Sequence, residues 1–325
     1  KILIANRGEI AVRIIRAARE LGIDTVAVYS TADKEALHTL LADEAVCIGP
    51  AKSTDSYLNM NAVLSAAVLT GAEAIHPGFG FLSENSKFAT MCEEVGIKFI
   101  GPSGAVMDLM GDKINARAQM IKAKVPVIPG SDGEVHTSEE ALEVAEKIGY
   151  PVMLKASAGG GGKGIRKVEK AEDLVAAFES ASSEAKAAFG NGAMYMERVI
   201  YPARHIEVQI LADQQGHVIH LGERDCSLQR NNQKVLEESP SVAIGKTLRQ
   251  QIGEAAVRAA ESVGYENAGT IEFLLDEAKG EFYFMEMNTR VQVEHPVTEF
   301  VTGVDIVKEQ IKIADGQELS FSQED

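Results

Sequence analysis

The chain has 325 residues, 45% of them hydrophobic and 25% charged, the proportions of an ordinary globular protein with two or three domains. Its formal net charge of −16 argues against a nucleic-acid partner, because phosphate backbones are bound mainly by Lys and Arg. Three widely spaced cysteines suit a reducing cytoplasm, and no stretch suggests a signal peptide or approaches the roughly 18 apolar residues of a membrane span.

The first 30 residues are predicted to form a βαβ unit, the building block of a parallel sheet. Residues 2–5 are a short apolar strand, a helix with apolar residues at helical spacing follows, and residues 25–29 form the second strand. The turn at residues 6–8 lacks the GxGxxG pattern, so a dinucleotide site is not expected there. The same pattern continues with a helix over 62–70 and strands at 74–75 and 98–100.

Residues 76–85, HPGFGFLSEN, are rich in turn-forming residues. They follow a predicted strand of the parallel sheet, which places them at its carboxyl end, where ligands usually bind in such folds. A tight turn with a purely structural role is the alternative.

A glycine-rich segment follows the first domain. A helix over 112–124 is broken by the prolines of residues 125–130, and Thr137 with Glu140 forms a capping box for the next helix. A strand over 151–155 then leads into glycines 159–162, which have no side chains to keep backbone N–H groups from phosphates.

The glycines lie between two strands, so they match neither a Walker loop nor a Rossmann turn, both of which open a helix. Lys155 and Lys163 flank them with positive charge, which favours nucleotide binding over a merely flexible hairpin. The remaining elements are predicted as helices over 171–189 and 248–263 and strands over 165–168, 194–197, 205–212, 217–221, 270–276 and 281–287.

The strongest chemical signal lies in residues 284–294. If this segment stays extended, its side chains alternate between two faces. The apolar face would hold Met285, Met287, Val291 and Val293. The polar face would hold Glu286, Asn288, Arg290, Gln292 and Glu294. Carboxylates and amides beside a guanidinium suit a metal ion followed by an anion, whereas a solvated edge strand is the alternative.

Neighbouring strands offer further polar groups. Glu272 could meet Glu286 across the final hairpin, where Mg²⁺ would find carboxylate oxygens. His205 shares a strand face with Glu207 and Gln209, although a lone strand histidine is more often structural. Residues 223–234 are dense in polar groups, for which a solvated loop is the simplest interpretation.

Together these segments resemble the biotin carboxylase family of ATP-grasp enzymes over nearly the whole chain. The residues that carry the resemblance are IANRGEIA at 4–11, the 76–85 loop, 155–164, ERDCS at 223–227, and residues 284–296, whose EMNTRVQVEHP string is highly specific. The resemblance implies an α/β fold with a Rossmann-like N-terminal domain (1–110), an ATP-grasp domain (111–314) with a mobile glycine-rich lid over about 130–200, and the start of a truncated C-terminal subdomain (315–325).

The resemblance also implies an activity: carboxylation of biotin with ATP and bicarbonate through carboxyphosphate, as in the first half-reaction of acetyl-CoA carboxylase in fatty acid synthesis. Phosphates would be held by Lys113, Lys155, Gly161 and Gly162, adenine by Glu197, Arg198, Val199 and Ile200, and the ribose would lie near His205. Mg²⁺ or Mn²⁺ would be bound by Glu272, Glu286 and Asn288. Bicarbonate would be bound by Lys234, Arg290, Gln292, Val293 and Glu294, with Glu294 as the base.

Two departures from the family pattern stand out. Asn231 and Asn232 replace the Arg-His or Arg-Met pair common before Gln-Lys, which puts the nucleotide contact expected of Asn232 in doubt. A C-terminal subdomain with an enolate-stabilising arginine and much of the dimer contact is expected beyond Asp325.

The partners implied are biotin carboxyl carrier protein, carboxyltransferase subunits and a second copy of the full-length chain, with neither nucleic acid nor membrane. Another ATP-grasp ligase, of the carbamoyl phosphate or purine pathways, and a nucleotide-binding regulatory module without turnover are the alternatives.

Overall fold

The computed structural model describes residues 1–157, 164–231 and 233–325, with only the backbone at residue 189. The strands are β1 Ile2–Ile4, β2 Thr25–Ser30, β3 Glu44–Gly49, β4 Ala74–His76, β5 Lys98–Phe99, β6 Val152–Ala156, β7 Arg166–Val168, β8 Met194–Arg198, β9 Ala203–Ala212, β10 Val218–Arg230, β11 Gln233–Glu238, β12 Asn267–Asp276 and β13 Glu281–Asn288. The helices are α1 Gly8–Glu20, α2 Leu37–Leu41, α3 Met60–Thr70, α4 Ser86–Glu94, α5 Gly104–Gly111, α6 Lys113–Lys122, α7 Ser138–Ile148, α8 Leu174–Phe189, α9 Lys246–Ser262, α10 His295–Thr302 and α11 Ile306–Ala314. In these ranges no helix combines the length and apolar character needed to cross a bilayer.

The chain forms two compact units. One contains residues 1–125, 204–273 and 284–325, and the other contains residues 126–203 and 274–283. The mixed α/β class is confirmed, while the domain boundaries at 110 and 314 and the lid over 130–200 stay predictions.

The first unit opens with a parallel sheet in the order β3-β2-β1-β4-β5. The predicted βαβ unit is confirmed, because β1 pairs in parallel with β2 and α1 buries the apolar face of residues Ile10, Ile14, Ile15 and Ala18. All strands of this sheet point the same way, so the loops after β1 and β4 emerge at its carboxyl edge.

The loop at residues 76–85 is fastened to the turn after β1. The Asn6 side chain donates hydrogen bonds to the carbonyls of Pro77 and Phe79, both at 2.7 Å. Gly78 has φ +63°, and a Cβ there would lie 3.0 Å from Asn6 Nδ2, so glycine is required for this close approach. The predicted position at the carboxyl end of the sheet is confirmed.

A second sheet of the first unit has the order β11-β10-β9-β12-β13. The hairpin predicted around residues 214–216 is confirmed, but β10 continues to Arg230, well past the predicted end at 221. The interpretation of residues 223–234 as a solvated loop is therefore wrong: Glu223, Arg224 and Asp225 are buried within β10. Strand pairing with β9 and β11 satisfies their backbone groups, so the polar side chains can be turned inward.

The second unit contains the antiparallel sheet β7-β6-β8 with helices α7 and α8. Its core includes Leu154, Phe178 and Met196. The predicted cap of α7 is confirmed, since Thr137 Oγ1 accepts a hydrogen bond from Glu140 N at 3.2 Å. The Glu140 carboxylate bonds to the backbone N–H of His136 rather than to that of Thr137.

Candidate functional site

The polar segment predicted as one strand over 284–294 bends after Asn288, where β13 ends. Helix α10 begins at His295, with proline in its first turn. Strict alternation therefore fails: Val291 is buried, but Val293 is 60% exposed and Met285 is 38% exposed. The prediction of one apolar face was wrong at these two positions. Val293 departs from it because this residue lies in the turn beyond the end of the strand.

Lys234, on β11, holds three carboxylates together. Its ammonium group lies 2.5 Å from Glu207 Oε2, 2.7 Å from Glu294 Oε1 and 2.9 Å from Glu272 Oε1. Burial would lower the pKa of Lys234, but the charges of Glu207 and Glu272 and the hydrogen bonds to Glu207 and Glu294 outweigh it and raise the pKa. Lys234 is therefore a permanent cation at the centre of the site.

Two of the carboxylates around Lys234, those of Glu272 and Glu294, are ionised at neutral pH. Burial works against ionisation of Glu272, but the hydrogen bond and charge of His205 and the charge of Lys234 lower its pKa to about 2. Burial likewise opposes ionisation of Glu294, and the hydrogen bond from Lys234 lowers the pKa below the usual range. Glu294, at the N-terminus of α10, is thus a carboxylate able to accept a proton.

Arg224 is a buried residue beside this cluster that the sequence interpretation did not single out. Its side chain is fully buried, and each of its five N–H groups has an acceptor. Nε donates to Glu207 Oε1 at 2.5 Å, Nη1 to Gln209 and Thr298 at 2.8 Å each, and Nη2 to Gln292 at 3.1 Å and Thr270 at 3.3 Å. Register pairs Arg224 directly with Glu207 across β9 and β10.

Arg290 lies beside the loop after β4. Its Nε donates to Glu84 Oε2 at 2.9 Å, and the Thr289 amide donates to Glu84 Oε1 at 3.2 Å. Its two terminal nitrogens donate to Asn288 Oδ1 at 3.0 Å and to the Val291 carbonyl at 3.3 Å. Three of five N–H donors are occupied by residues that the structure describes, which leaves two for an anion.

Two of the three predicted metal ligands, Glu272 and Asn288, are in contact. Asn288 Nδ2 lies 2.8 Å from Glu272 Oε1. Glu286 is exposed and makes no hydrogen bond within the described ranges, yet crowding by protein atoms and the charge of Glu272 raise its pKa. The Asn288 amide oxygen accepts from Arg290 at 3.0 Å. Carboxylate and amide oxygens are the ligands that Mg²⁺ and Mn²⁺ prefer, so Glu272, Glu286 and Asn288 stay the predicted metal ligands.

The nucleotide candidates divide between the two units. In the first, Lys113 starts α6 and its charge acts on Glu286, while His205 Nε2 lies 2.8 Å from Glu272 Oε2. In the second, Lys155 and Glu197 form an ion pair across β6 and β8.

The other adenine candidates follow Glu197 in the second unit: Arg198 donates to Tyr283 at 2.9 Å, Val199 is half-buried and Ile200 is buried. Gly161, Gly162 and Asn232 lie outside the described residues.

Comparison with known proteins gives two family matches. Residues 1–107 match "Biotin carboxylase, N-terminal domain", and residues 112–322 match "Carbamoyl-phosphate synthase L chain, ATP binding domain". Over its full length the chain is 60% identical to biotin carboxylase 1 of Bacillus subtilis, of which it covers 72%.

Solved structures show the same similarity to biotin carboxylases. A biotin carboxylase–β,γ-ATP complex from Campylobacter jejuni is 54% identical, with a TM-score of 0.91 over 99% of this chain and 72% of that one. The biotin carboxylase domain dimer of Hydrogenobacter thermophilus 2-oxoglutarate carboxylase, bound to MgADP, ADP and bicarbonate, is 55% identical, with a TM-score of 0.89 over 99% and 71%. The chain belongs to the biotin carboxylase family of ATP-grasp ligases.

Proposed function

We propose that this chain carboxylates biotin, using ATP, bicarbonate and Mg²⁺ or Mn²⁺. The observation that carries the proposal is the cluster around Lys234. The half-buried Lys234 ammonium, the ionised Glu294 and the partly unoccupied Arg290 guanidinium lie next to Glu272 and Asn288, the proposed metal ligands. Such a site can bind a small anion beside a metal ion and remove a proton from it.

Bicarbonate is the anion that fits this site. Lys234, Arg290 and Gln292 supply donors, and Val293 contributes through its backbone because its side chain points to solvent. A guanidinium can hold an oxyanion through two parallel hydrogen bonds. Glu294 is the proposed base: it is ionised at neutral pH, and an anion that takes over the Lys234 hydrogen bond would make Glu294 more basic.

The nucleotide is proposed to bind through the residues that the family resemblance implies. Its phosphates would be held by Lys113, Lys155, Gly161 and Gly162, its adenine by Glu197, Arg198, Val199 and Ile200, and its sugar by His205, with Asn232 nearby. Glu272, Glu286 and Asn288 would hold the metal ion, which neutralises charge on the phosphates when it is bound. His205 would also orient Glu272, since their side chains lie 2.8 Å apart.

The proposed reaction starts with loss of the bicarbonate proton to Glu294. An oxygen of the resulting carbonate then attacks the γ-phosphorus, and the bond from that phosphorus to ADP breaks, giving carboxyphosphate. Carboxyphosphate splits into CO₂ and phosphate, the phosphate takes the N1 proton of biotin, and N1 attacks CO₂. Positive charge from Lys234 and Arg290 stabilises the developing anions, the largest contribution expected in such a site.

We further propose that the biotin is carried by biotin carboxyl carrier protein, that carboxyltransferase subunits complete an acetyl-CoA carboxylase for fatty acid synthesis, and that the working form is a cytoplasmic homodimer. The relatives leave other acceptors open, since one of them belongs to a 2-oxoglutarate carboxylase. Reconstitution with carboxyltransferases for acetyl-CoA, pyruvate and 2-oxoglutarate would identify the acceptor; malonyl-CoA as the main product is expected.

The activity itself is tested by ADP release from the purified chain with MgATP. We expect bicarbonate-dependent release from this chain. A version extended by the C-terminal subdomain that the resemblance implies should also release more ADP with biotin and form ¹⁴C-carboxybiotin from labelled bicarbonate. Glu294→Gln should bind MgATP normally but lose bicarbonate-dependent release. ADP release that needs ammonia or another acceptor instead of bicarbonate would assign the chain to a different ATP-grasp ligase, and nucleotide binding without turnover would indicate a regulatory module.

A further inference from the structure

We propose that Arg224 is a positioning residue that fixes the side-chain amide of Gln292 with its NH₂ group, not its oxygen, towards the bound bicarbonate. The inference rests on the proposed function, because it assumes that Gln292 contacts bicarbonate. Arg224 itself is fully buried, and the contact on which the proposal rests is its hydrogen bond to Gln292.

The orientation of Gln292 follows from the chemistry of its two neighbours. A guanidinium group has only N–H donors, so the Gln292 atom 3.1 Å from Arg224 Nη2 must be the carbonyl oxygen. The amide nitrogen is then at the other end, 3.2 Å from Glu272 Oε1, an oxygen that accepts hydrogen bonds. Both contacts therefore favour the same orientation of the Gln292 amide, with its oxygen at Arg224 and its nitrogen at Glu272.

The Gln292 amide nitrogen is thereby placed beside Lys234. Glu272 Oε1 accepts from Gln292 at 3.2 Å and from the Lys234 ammonium at 2.9 Å, so the two donors converge on one oxygen. An anion bound at Lys234 would find a second donor in the Gln292 NH₂ group. The opposite orientation would present a carbonyl oxygen, which repels an anion.

Arg224 is suited to this role because it cannot turn. Its other four N–H groups bond to two residues of β9, one of β12 and one of α10, namely Glu207, Gln209, Thr270 and Thr298. Gln292 has no such anchoring of its own, because it lies in the irregular segment between β13 and α10. Its carbonyl is held by His295, but only Arg224 and Glu272 hold its side chain within the described residues.

The test is a double-mutant cycle on bicarbonate-dependent ADP release. Arg224→Lys keeps a positive charge beside Glu207 but loses the planar guanidinium group, one nitrogen of which reaches Gln292. We expect the KM for bicarbonate to rise about tenfold or more, the scale of one hydrogen bond to a charged ligand. The KM for ATP should stay within about twofold. Gln292→Ala should raise the bicarbonate KM similarly, and the double variant should be within about twofold of Gln292→Ala alone, because both changes remove the same contact.

Arg249→Lys is the matched control. Arg249 donates to Glu223 and to the carbonyls of Ser241 and Ile244, so it anchors the same β10 strand away from Gln292. It should leave the KM values for ATP and bicarbonate unchanged. An equal rise of bicarbonate KM in this control would show that any loosening of β10 has the same effect and would overturn the proposal.

Gln292→Glu keeps the test decisive if Arg224→Lys does not fold. One carboxylate oxygen can still accept from Arg224, and the other replaces the NH₂ group, so the protein should fold while the bicarbonate KM rises more than in Gln292→Ala. If the bicarbonate KM of Gln292→Glu were no higher than that of Gln292→Ala, the role of Arg224 would be refuted. Additive effects of Arg224→Lys and Gln292→Ala in the double-mutant cycle would refute it as well. Wild-type protein without bicarbonate-dependent ADP release would refute the proposed function instead.

Discussion

Replacing Lys234 with methionine should destabilise the first unit and abolish carboxylation. The substitution removes the cation shared by Glu207, Glu272 and Glu294, whose side chains are at most 7% exposed. Carboxylate oxygens of Glu207 and Glu294 lie within 4.8 Å of each other. Two unit charges at that distance repel by about 3 kcal/mol at an effective dielectric constant of about 20. Loss of one partner of a buried ion pair typically costs about 3–5 kcal/mol of folding stability, which agrees with the Coulomb repulsion between the two carboxylates.

The sign of the pH dependence follows from the same charges. Without Lys234 the clustered carboxylates should have raised pKa values, so the variant binds protons on folding and loses stability as pH rises. Urea unfolding at pH 5.5 and pH 8 should show a deficit of about 3–5 kcal/mol at pH 8 and a smaller one at pH 5.5. The exposed Lys246, changed to methionine, is the control and should cost less than about 0.5 kcal/mol. A deficit under about 1 kcal/mol that is equal at both pH values would refute the assignment of Lys234 as the neutralising cation.

Three other outcomes are expected. Arg290→Ala should slow bicarbonate-dependent ADP release by roughly a hundredfold or more with ATP affinity unchanged by calorimetry, whereas lost ATP binding with normal saturated turnover would contradict its role. The hydrogen bond and charge of Asp213 raise the pKa of His217, so the pair stabilises the fold below the usual histidine pKa and loses that effect as pH rises through the raised value. His217→Gln should therefore differ from wild type in urea unfolding at pH 5.5 and not at pH 8.5. Thr137→Ala should lower the stability of the second unit by about 1 kcal/mol in thermal unfolding, with Thr137→Ser nearly neutral.

Much of the fold could be predicted because its signals are local. The βαβ start was readable from apolar spacing alone, and α7 from the Thr137 cap. Strand β3 was not predicted, since its largely exposed residues give a weak apolar pattern. Helices α10 and α11 were also not predicted, although Pro296 after a run of extended residues is a usual signal of a helix start.

The site was harder to predict, because its contacts join distant parts of the chain. The roles of Lys234, Glu272 and Glu294 were assigned through family resemblance, but no spacing rule places the two carboxylates within 3 Å of the Lys234 ammonium group. Extending the hairpin from residues 214–216 in unbroken register would have paired Glu207 with Glu223, because an irregularity after His220 shifts the pairing by one residue; no local signal therefore places Arg224 opposite Glu207. The prediction ended β10 at residue 221, where the polar residues begin, and so treated inward-facing charges as solvated.

The path of the backbone through the two compact units has a practical consequence for protein engineering. The chain crosses between the units four times, at residues 125–126, 203–204, 273–274 and 283–284. A gene fragment coding only for residues 126–203 would omit Leu274 and Tyr283, which complete an apolar cluster with Ile128 and Ile200. Excising or swapping the second unit therefore requires a circularly permuted or two-piece design that restores residues 274–283.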